Sequence, residues 1–171
     1  CRIWPLSENG HAEGILRVSR SLVDDPMEGP ARDYCERLLK ALDYVGVLAL
    51  ELFQCGDQLL VNEYAPRVHN SGHWTIEGAV TSQFENHLRA IAGLPLGSTA
   101  AVAPSVMVNV IGEWPAAREL LAVSGAHLHD YGKSPAPGRK LGHITLVDRD
   151  TQALRQRTAE LTRLVAGAPG A

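Results

Sequence analysis

The stretch that decides the fold is YVGVLALELFQCGDQLLVNEYAP, residues 44–66. Two runs rich in Val and Leu flank a turn-forming QCGD segment, and Pro66 ends the second run, which is the pattern of a β-hairpin. Each arm carries one acid in an apolar context, Glu51 in the first and Glu63 in the second. The pattern raises the question of why two neighbouring strands each hold a carboxylate.

The length of the hairpin loop decides whether these two acids meet. A three-residue loop, Gly56 to Gln58, places Glu51 directly opposite Glu63. Opposed residues of an antiparallel pair have Cβ atoms about 4.5–5.5 Å apart, so like charges there repel. A two-residue loop shifts the pairing by one residue and sends the two side chains to opposite faces. The sequence leaves both registers open.

Acids that converge on one face are expected to share a cation. Oxygen ligands without cysteine favour a hard ion, and Mg²⁺ shared with a phosphate is the simplest choice. Two solvated glutamates on the outer face of a hairpin are the alternative. Spacing alone favours the two solvated glutamates.

The loop RVHNSGH, which follows Pro66, is rich in groups that bind anions. Arg67 can hold a carboxylate, bicarbonate or phosphate through two parallel hydrogen bonds. His69, Asn70 and Ser71 add short polar side chains. The loop is therefore a candidate site for a substrate anion beside the acidic hairpin.

Other interpretations of the same loop stay open. Gly72 permits close approach of another group to the backbone. His69 and His73 could instead be zinc ligands, although no third soft ligand lies nearby in the sequence. A polar surface loop with a satisfied histidine is the remaining possibility.

A second basic spot occurs in PGRKLGH, where Arg139 and Lys140 follow a Pro-Gly turn and lead into a strand. A basic turn of this kind is usually solvated surface. It becomes part of a site only if the fold brings it near Arg67.

The remaining chain predicts an α+β fold with one internal boundary near residues 97–103. Strands are expected at 1–9, 14–22, 105–112, 126–132 and 140–148, helices at 31–42, 81–92 and 151–165, and a loop at SENGHAEG. We therefore expect an antiparallel sheet with helices over residues 1–98, followed by a small, mostly β unit over 99–171.

Composition excludes several classes of protein. The 171 residues carry a net charge of -3, which gives no basic footprint for nucleic acid. No apolar run approaches the roughly 18 residues that span a bilayer, and no signal peptide is recognisable. Three unpaired cysteines indicate a reducing cytoplasm. Because the chain begins with Cys1 rather than methionine, we expect a piece of a longer protein.

These motifs together resemble one family. The resemblance is carried by NEYAPRVHNSGH, TSQFENHLRAI, PSVMVNVIG, HLHDYGK and PGRKLGHITLVD. This combination is similar to the 5-(carboxyamino)imidazole ribonucleotide synthases, an ATP-grasp family of purine biosynthesis, and HNSGHW is specific to it. The resemblance implies the C-terminal half of such an enzyme: the C-terminal lobe of the ATP-grasp domain and the small C-terminal domain.

The resemblance also implies a reaction. ATP phosphorylates bicarbonate to carboxyphosphate, which delivers its carboxyl group, as CO₂, to the exocyclic amine of aminoimidazole ribonucleotide. The implied cofactors are ATP and Mg²⁺, and the implied partners are these small molecules and a second copy in a homodimer, with no nucleic acid or membrane.

Site residues carried over from the family fall into two sets. On the nucleotide side, Glu51 and Glu63 match the Mg²⁺-binding acids, and Asn62, Glu63 and His11 match positions close to ATP. On the acceptor side, Arg67 and His69 match the catalytic positions, and the substrate-binding positions are Asn70, Ser71, Arg139 and Lys140. Ala65 departs from many ATP-grasp enzymes, which have an asparagine there.

The sequence also lacks parts of the whole enzyme. No Gly-rich phosphate loop and no ATP-side lysines are recognisable, so this chain alone is expected to turn over no ATP. Another ATP-grasp ligase with a different acceptor, or a non-catalytic binding or dimerisation module, are the alternatives.

Overall fold

The computed structural model describes residues 1–167 as an α+β fold with two antiparallel sheets. The strands are β1 (Leu6–Ala12), β2 (Ile15–Leu22), β3 (Ala49–Cys55), β4 (Gln58–Ala65), β5 (Ser105–Ile111), β6 (Ala126–Asp130) and β7 (Lys140–Val147). The helices are α1 (Glu28–Leu42), α2 (Thr75–Gly78), α3 (Gln83–Ile91), α4 (Ala117–Ala122) and α5 (Thr151–Ala166), with a 3-10 turn at Asn70–Gly72. The predicted fold class is confirmed.

The larger sheet has five strands in the order β1-β2-β5-β7-β6. Its middle strand β5 is buried along its whole length, which explains why SVMVNVI is an almost unbroken apolar run. On one face the strands pack against α5 through Leu154, Leu161 and Val165, and on the other face Met107 packs against Trp74. The loop that follows β4 therefore rests on a rigid, buried support.

The smaller sheet is the hairpin β3–β4. A two-stranded hairpin is marginal on its own, so contacts at its base matter. The Tyr44 hydroxyl donates to the Pro66 carbonyl at 2.8 Å and lies 3.2 Å from the Val47 carbonyl oxygen. The base of the acidic hairpin is thereby tied at the point where the loop 67–73 begins.

One predicted loop is wrong. SENGHAEG was expected to be loop, but β1 continues to Ala12 and only Glu13 and Gly14 form the turn. Both turn residues have positive φ, 52° and 74°, the backbone of a tight two-residue hairpin turn. His11 therefore belongs to a strand.

The five-stranded sheet contains strands from both sides of the predicted boundary. Val18 of β2 pairs with Val108 of β5, so strands from both sides of residues 97–103 share one hydrogen-bonded sheet. The division into units at 98/99 stays a prediction. None of the helices within residues 1–167 is long and apolar enough to cross a bilayer.

Candidate active site at the acidic hairpin

The hairpin turn has two residues, Gly56 and Asp57, and Cys55 pairs with Gln58 across it. Of the two loop lengths left open by the sequence, the chain has the two-residue one. Gly56 has a φ of +64°, a conformation that glycine adopts without strain. This turn on its own would send the two acids to opposite faces of the hairpin.

A β-bulge restores the pairing of the acids. Leu52 pairs with Val61. Glu51, the residue before Leu52, pairs with Glu63 and not with Asn62, so Asn62 is an extra residue in β4. The inserted residue shifts the register by one, as bulges do. The pairing of Glu51 with Glu63, which their predicted convergence requires, is present, although through a bulge and not through the loop length.

The acidic pair fits a hard cation that also contacts a phosphate. Glu51 is 22% exposed and Glu63 is exposed, so both carboxylates border solvent-accessible space. Within residues 1–167 no group of three or more metal-ligating side chains converges, so the chain forms no closed cage. Mg²⁺ is commonly bound by one or two carboxylates together with substrate phosphates, which is what this pair could provide.

His69 stands next to Glu51. The Nδ1 atom of His69 accepts a hydrogen bond from the Ser71 N–H at 3.3 Å and lies 2.8 Å from the Ser71 hydroxyl. Because a backbone N–H can only donate, the neutral ring carries its proton on Nε2, which lies 3.5 Å from Glu51 Oε1. Burial lowers the pKa of His69, and the charge of Glu51 opposes that shift.

Lys140 and Arg67 add positive charge around this histidine. The charges of both residues lower the pKa of His69, and Arg67 also lowers the pKa of Lys140, after the larger effect of burial. Arg67 is exposed, and its Nη1 donates to the Val68 carbonyl at 3.0 Å. Among the described residues neither cation has a salt-bridge partner. The fold thus brings Lys140, but not the whole second basic spot, close enough to Arg67 and His69 for their charges to interact.

Two predicted site residues stand apart from this group. The exposed Arg139 side chain donates to the Ser134 carbonyl at 3.1 Å, within its own turn. His11 is exposed on β1 and faces the same space as Glu51 without touching it. Their roles stay predictions.

One open cleft of about 1350 Å³ connects most of the predicted positions. Its polar wall includes His11, Glu51, Asn62, Glu63, His69 and Lys140, and its apolar wall comes from the N-terminal segment, α1 and the hairpin. Its lining, mostly apolar with a few convergent polar groups, is of the kind that binds small molecules.

Hydrogen bonds to the five-stranded sheet hold the predicted substrate-binding residues Asn70 and Ser71 in place. Asn70 and Asn109 exchange amide hydrogen bonds of 3.0 and 2.6 Å, and Asn109 also donates to the Leu16 carbonyl at 2.9 Å. The Ser19 hydroxyl donates to the Ser71 carbonyl at 2.9 Å. Half of the hydrogen-bonding capacity of the Asn70 amide is thus used to hold the loop in place.

His73 does not join His69 at a zinc site. The Nδ1 atom of His73 lies 2.8 Å from the side-chain nitrogen of Gln83, and its ring packs 5.1 Å from that of His143. Mainly because of burial, the pKa of His73 is lowered to about 4 and that of His143 to about 3. Both rings are therefore neutral at pH 7. The zinc alternative gains no support.

Sequence reasoning missed Gln83. This residue was seen only as part of a helix start, yet it is buried and bonds the loop backbone. The one local hint is Gly72: a Cβ there would come within 2.8 Å of Gln83 Oε1, so the predicted close approach at Gly72 is confirmed.

Comparison with known proteins identifies the family. The sequence model of the ATP-grasp domain matches residues 1–84, and that of the phosphoribosylaminoimidazole carboxylase C-terminal domain matches residues 105–157. The N5-carboxyaminoimidazole ribonucleotide synthase of Pseudomonas aeruginosa is 54% identical over 164 residues, covering 96% of this chain and 46% of the relative. The chain spans about half the length of the curated relatives it matches.

Solved structures agree with this assignment. The N5-carboxyaminoimidazole ribonucleotide synthetase of Thermus thermophilus superposes with a TM-score of 0.93 at 59% identity, covering 97% of this chain and 47% of that one. The Aspergillus clavatus enzyme in complex with ADP and 5-aminoimidazole ribonucleotide gives 0.88 at 34% identity, covering 95% and 47%. The resemblance of the loop motifs is confirmed, and the chain belongs to the N5-carboxyaminoimidazole ribonucleotide synthase family.

Proposed function

We propose that this chain is part of an ATP-dependent ligase that makes 5-(carboxyamino)imidazole ribonucleotide from aminoimidazole ribonucleotide, bicarbonate and ATP in purine biosynthesis. The observation that carries the proposal is the convergence of Glu51, Glu63, His69 and Lys140 on one cleft. Opposed carboxylates beside unpaired cations suit a reaction in which phosphates and a carboxylate are bound together.

On the nucleotide side, Glu51 and Glu63 would hold Mg²⁺ against the ATP phosphates, where the ion offsets charge during phosphoryl transfer. Asn62 donates to Glu51 Oε2 at 3.5 Å, and His69 Nε2 lies 3.5 Å from the other oxygen. These two neighbours restrict the rotation of the Glu51 carboxylate. Asn62, Glu63 and His11 border the space that we assign to ATP.

On the acceptor side, Arg67 would bind bicarbonate and the carboxyphosphate formed from it. Its exposed guanidinium has no acidic partner within residues 1–167, so the donors that the Val68 carbonyl does not use are available to an anion. Lys140 supplies a second positive charge, and His69 a polar edge beside the acidic pair. Asn70 and Ser71 would face the imidazole ribonucleotide, and Arg139 its phosphate.

We further propose that the enzyme works in the cytoplasm as a homodimer and that this chain alone does not turn over ATP. Exposed apolar side chains support an association surface: Leu88, Ile91 and Leu94 are 63%, 57% and 57% exposed. Sedimentation equilibrium measures the dimer. Absence of carboxylation by purified residues 1–171 is the expected result for the isolated chain.

Calorimetric titration with aminoimidazole ribonucleotide tests the proposal, both in this chain and in a full-length protein that contains it. Arg139→Ala and Lys140→Ala should each weaken binding at least about tenfold, since a hydrogen bond to a charged group contributes about 1.5–3 kcal/mol. Arg155→Ala, an exposed arginine on α5, is the control and should bind as the parent does. If the full-length parent binds no aminoimidazole ribonucleotide, a different acceptor or a non-catalytic module replaces this proposal.

A further inference from the structure

We propose that Gln83 is a positioning residue that sets the geometry of the loop 67–73 and, through it, the placement of His69 beside Glu51. The consequence for catalysis rests on the proposed function, because that loop is assigned to bicarbonate and the ribonucleotide. The geometric role stands on hydrogen bonds that are independent of any ligand.

Gln83 is the first residue of α3 and is only 3% exposed, although first-turn positions usually face solvent. Its backbone N–H donates to the Thr75 hydroxyl at 3.0 Å, and the side chain turns back under the loop. There Oε1 accepts from the His69 N–H at 2.9 Å, and Nε2 donates to the His69 carbonyl at 2.7 Å. One amide thus satisfies both backbone groups of one loop residue.

The backbone of His69 fixes the orientation of this amide. A peptide N–H can only donate and a carbonyl can only accept, so the oxygen and nitrogen of Gln83 cannot be exchanged by a flip. The same Nε2 lies 2.8 Å from His73 Nδ1 and donates to it. His73 therefore carries its proton on Nε2.

The chain of contacts continues to the acidic hairpin. With both of its backbone groups held by Gln83, His69 is fixed at the start of the 3-10 turn, where its Nδ1 accepts from the Ser71 N–H. That contact directs the opposite ring nitrogen toward Glu51. Gly72 is required for the close approach, since any Cβ there would meet the Gln83 amide.

Asn86, one turn further along α3, provides a matched control. It is also 3% exposed, accepts from the Gly97 N–H at 2.8 Å and donates to the Gly97 carbonyl at 3.3 Å. Gln83→Glu and Asn86→Asp therefore make the same chemical change in the same kind of clamp on one helix. Only the first touches the loop.

NMR of the isolated chain, with ¹⁵N-labelled histidine and a pH titration, tests the geometric role. In the parent, His73 should remain the neutral Nε2–H tautomer down to about pH 4. Its neighbouring titratable groups are His69, Lys140, His129, His143 and Tyr131. In Gln83→Glu a carboxylate faces Nδ1, so His73 should titrate at least about one pH unit higher. Asn86→Asp should leave His73 unchanged.

A parent-like His73 titration in Gln83→Glu, or an equal shift in Asn86→Asp, overturns the proposal. If Gln83→Glu does not fold, Gln83→Met removes the same bonds without adding charge. His73 should then populate both neutral tautomers. A single Nε2–H tautomer in Gln83→Met also overturns it.

Kinetics in a full-length protein test the consequence for catalysis. Gln83→Glu should lower kcat/KM for carboxylation about 10- to 100-fold, because small misplacements of site groups have effects of this size. Asn86→Asp should stay within about threefold of the parent. If Gln83→Glu shifts His73 yet keeps kcat/KM within twofold, the catalytic consequence is overturned. If the full-length parent shows no carboxylation, the proposed function is refuted. The NMR result alone then decides the role of Gln83.

Discussion

Glu51 faces Glu63 because Asn62 is inserted into β4 on the turn side of the pair. The two-residue turn and the bulge compensate each other, and either one without the other would separate the carboxylates. Opposed like charges reduce the stability of a hairpin, so this arrangement is kept at a cost in free energy. A bound cation, as proposed above for Mg²⁺, would remove this cost.

Removing the charge of Glu63 should therefore raise the stability of the chain and lower the activity of the enzyme. Glu63→Gln removes one of two opposed charges and should raise the free energy of unfolding of the isolated chain by about 0.2–1 kcal/mol. Urea denaturation in the absence of divalent ions measures it. The control Glu85→Gln breaks the ion pair with Arg89 and should lower stability slightly. A destabilised Glu63→Gln would mean that the two acids do not repel.

The same acids should be needed for turnover. In a full-length protein, Glu51→Gln and Glu63→Gln should each reduce the Mg²⁺-ATP-dependent rate at least about 100-fold, since charge stabilisation at a metal site contributes several kcal/mol. Glu36→Gln, an exposed acid on α1, is the control and should be neutral. Rates within a few-fold of the parent in both variants would remove the metal role.

The buried histidines should make the fold sensitive to acid. His73 and His143 have an ordinary pKa of 6.5, which burial lowers to about 4 and about 3 in the folded chain. Below pH 6.5 the unfolded chain binds protons that the folded chain excludes, so stability is full above that pH and falls as the pH drops toward 4. The slope approaches about 1.4 kcal/mol per pH unit for each histidine.

Urea unfolding at pH 7, 5.5 and 4.5 checks this dependence. His143→Gln should give a shallower slope, because one of the two excluded protons no longer contributes. The exposed His127 is the control, and His127→Gln should keep the parent slope. A flat curve over this range would show that both rings protonate freely in the folded state.

Gly72 should be intolerant of any side chain. In Gly72→Ala the new Cβ would lie 2.8 Å from Gln83 Oε1 and 3.0 Å from its Cδ, so either the loop or the amide must move. We expect a loss of about 1–3 kcal/mol in thermal unfolding, as for other overpacked sites. Gly29→Ala, in α1 with open space around it, should be neutral or stabilising. Equal effects of both substitutions would contradict the close contact.

The sequence predicts much of this arrangement, because the hairpin, its acids and the anion-binding loop are local patterns. The register was left open between two loop lengths, and the two-residue turn that is present would have separated the acids without the bulge. A bulge at Asn62 leaves no periodic signal, since one extra residue in a polar stretch looks like ordinary alternation. The pairing of the two acids can therefore be predicted from the sequence only by assuming that both bind the same ion.

Features that depend on tertiary contacts were not predictable in this way. Gln83 follows the capping residue Ser82, a position that a local pattern assigns to solvent, and it is buried only because the loop folds over it. His11 was placed in a loop, because ENGHAEG contains turn formers along the whole segment. The charge of Lys140 acts on His69 and Arg67 only because β7 pairs with β5, which no local pattern specifies.

The pairing of β2 with β5 has a consequence for how the molecule folds. Val18 and Val108 are about 90 residues apart in sequence, and α1, the acidic hairpin and α3 all lie in the segment between them. Closing so large a loop is entropically expensive before any contact rewards it. We expect the hairpins to form early and the central β2–β5 ladder to form late, so that the anchoring of the loop to β2 and β5 is completed among the last steps of folding.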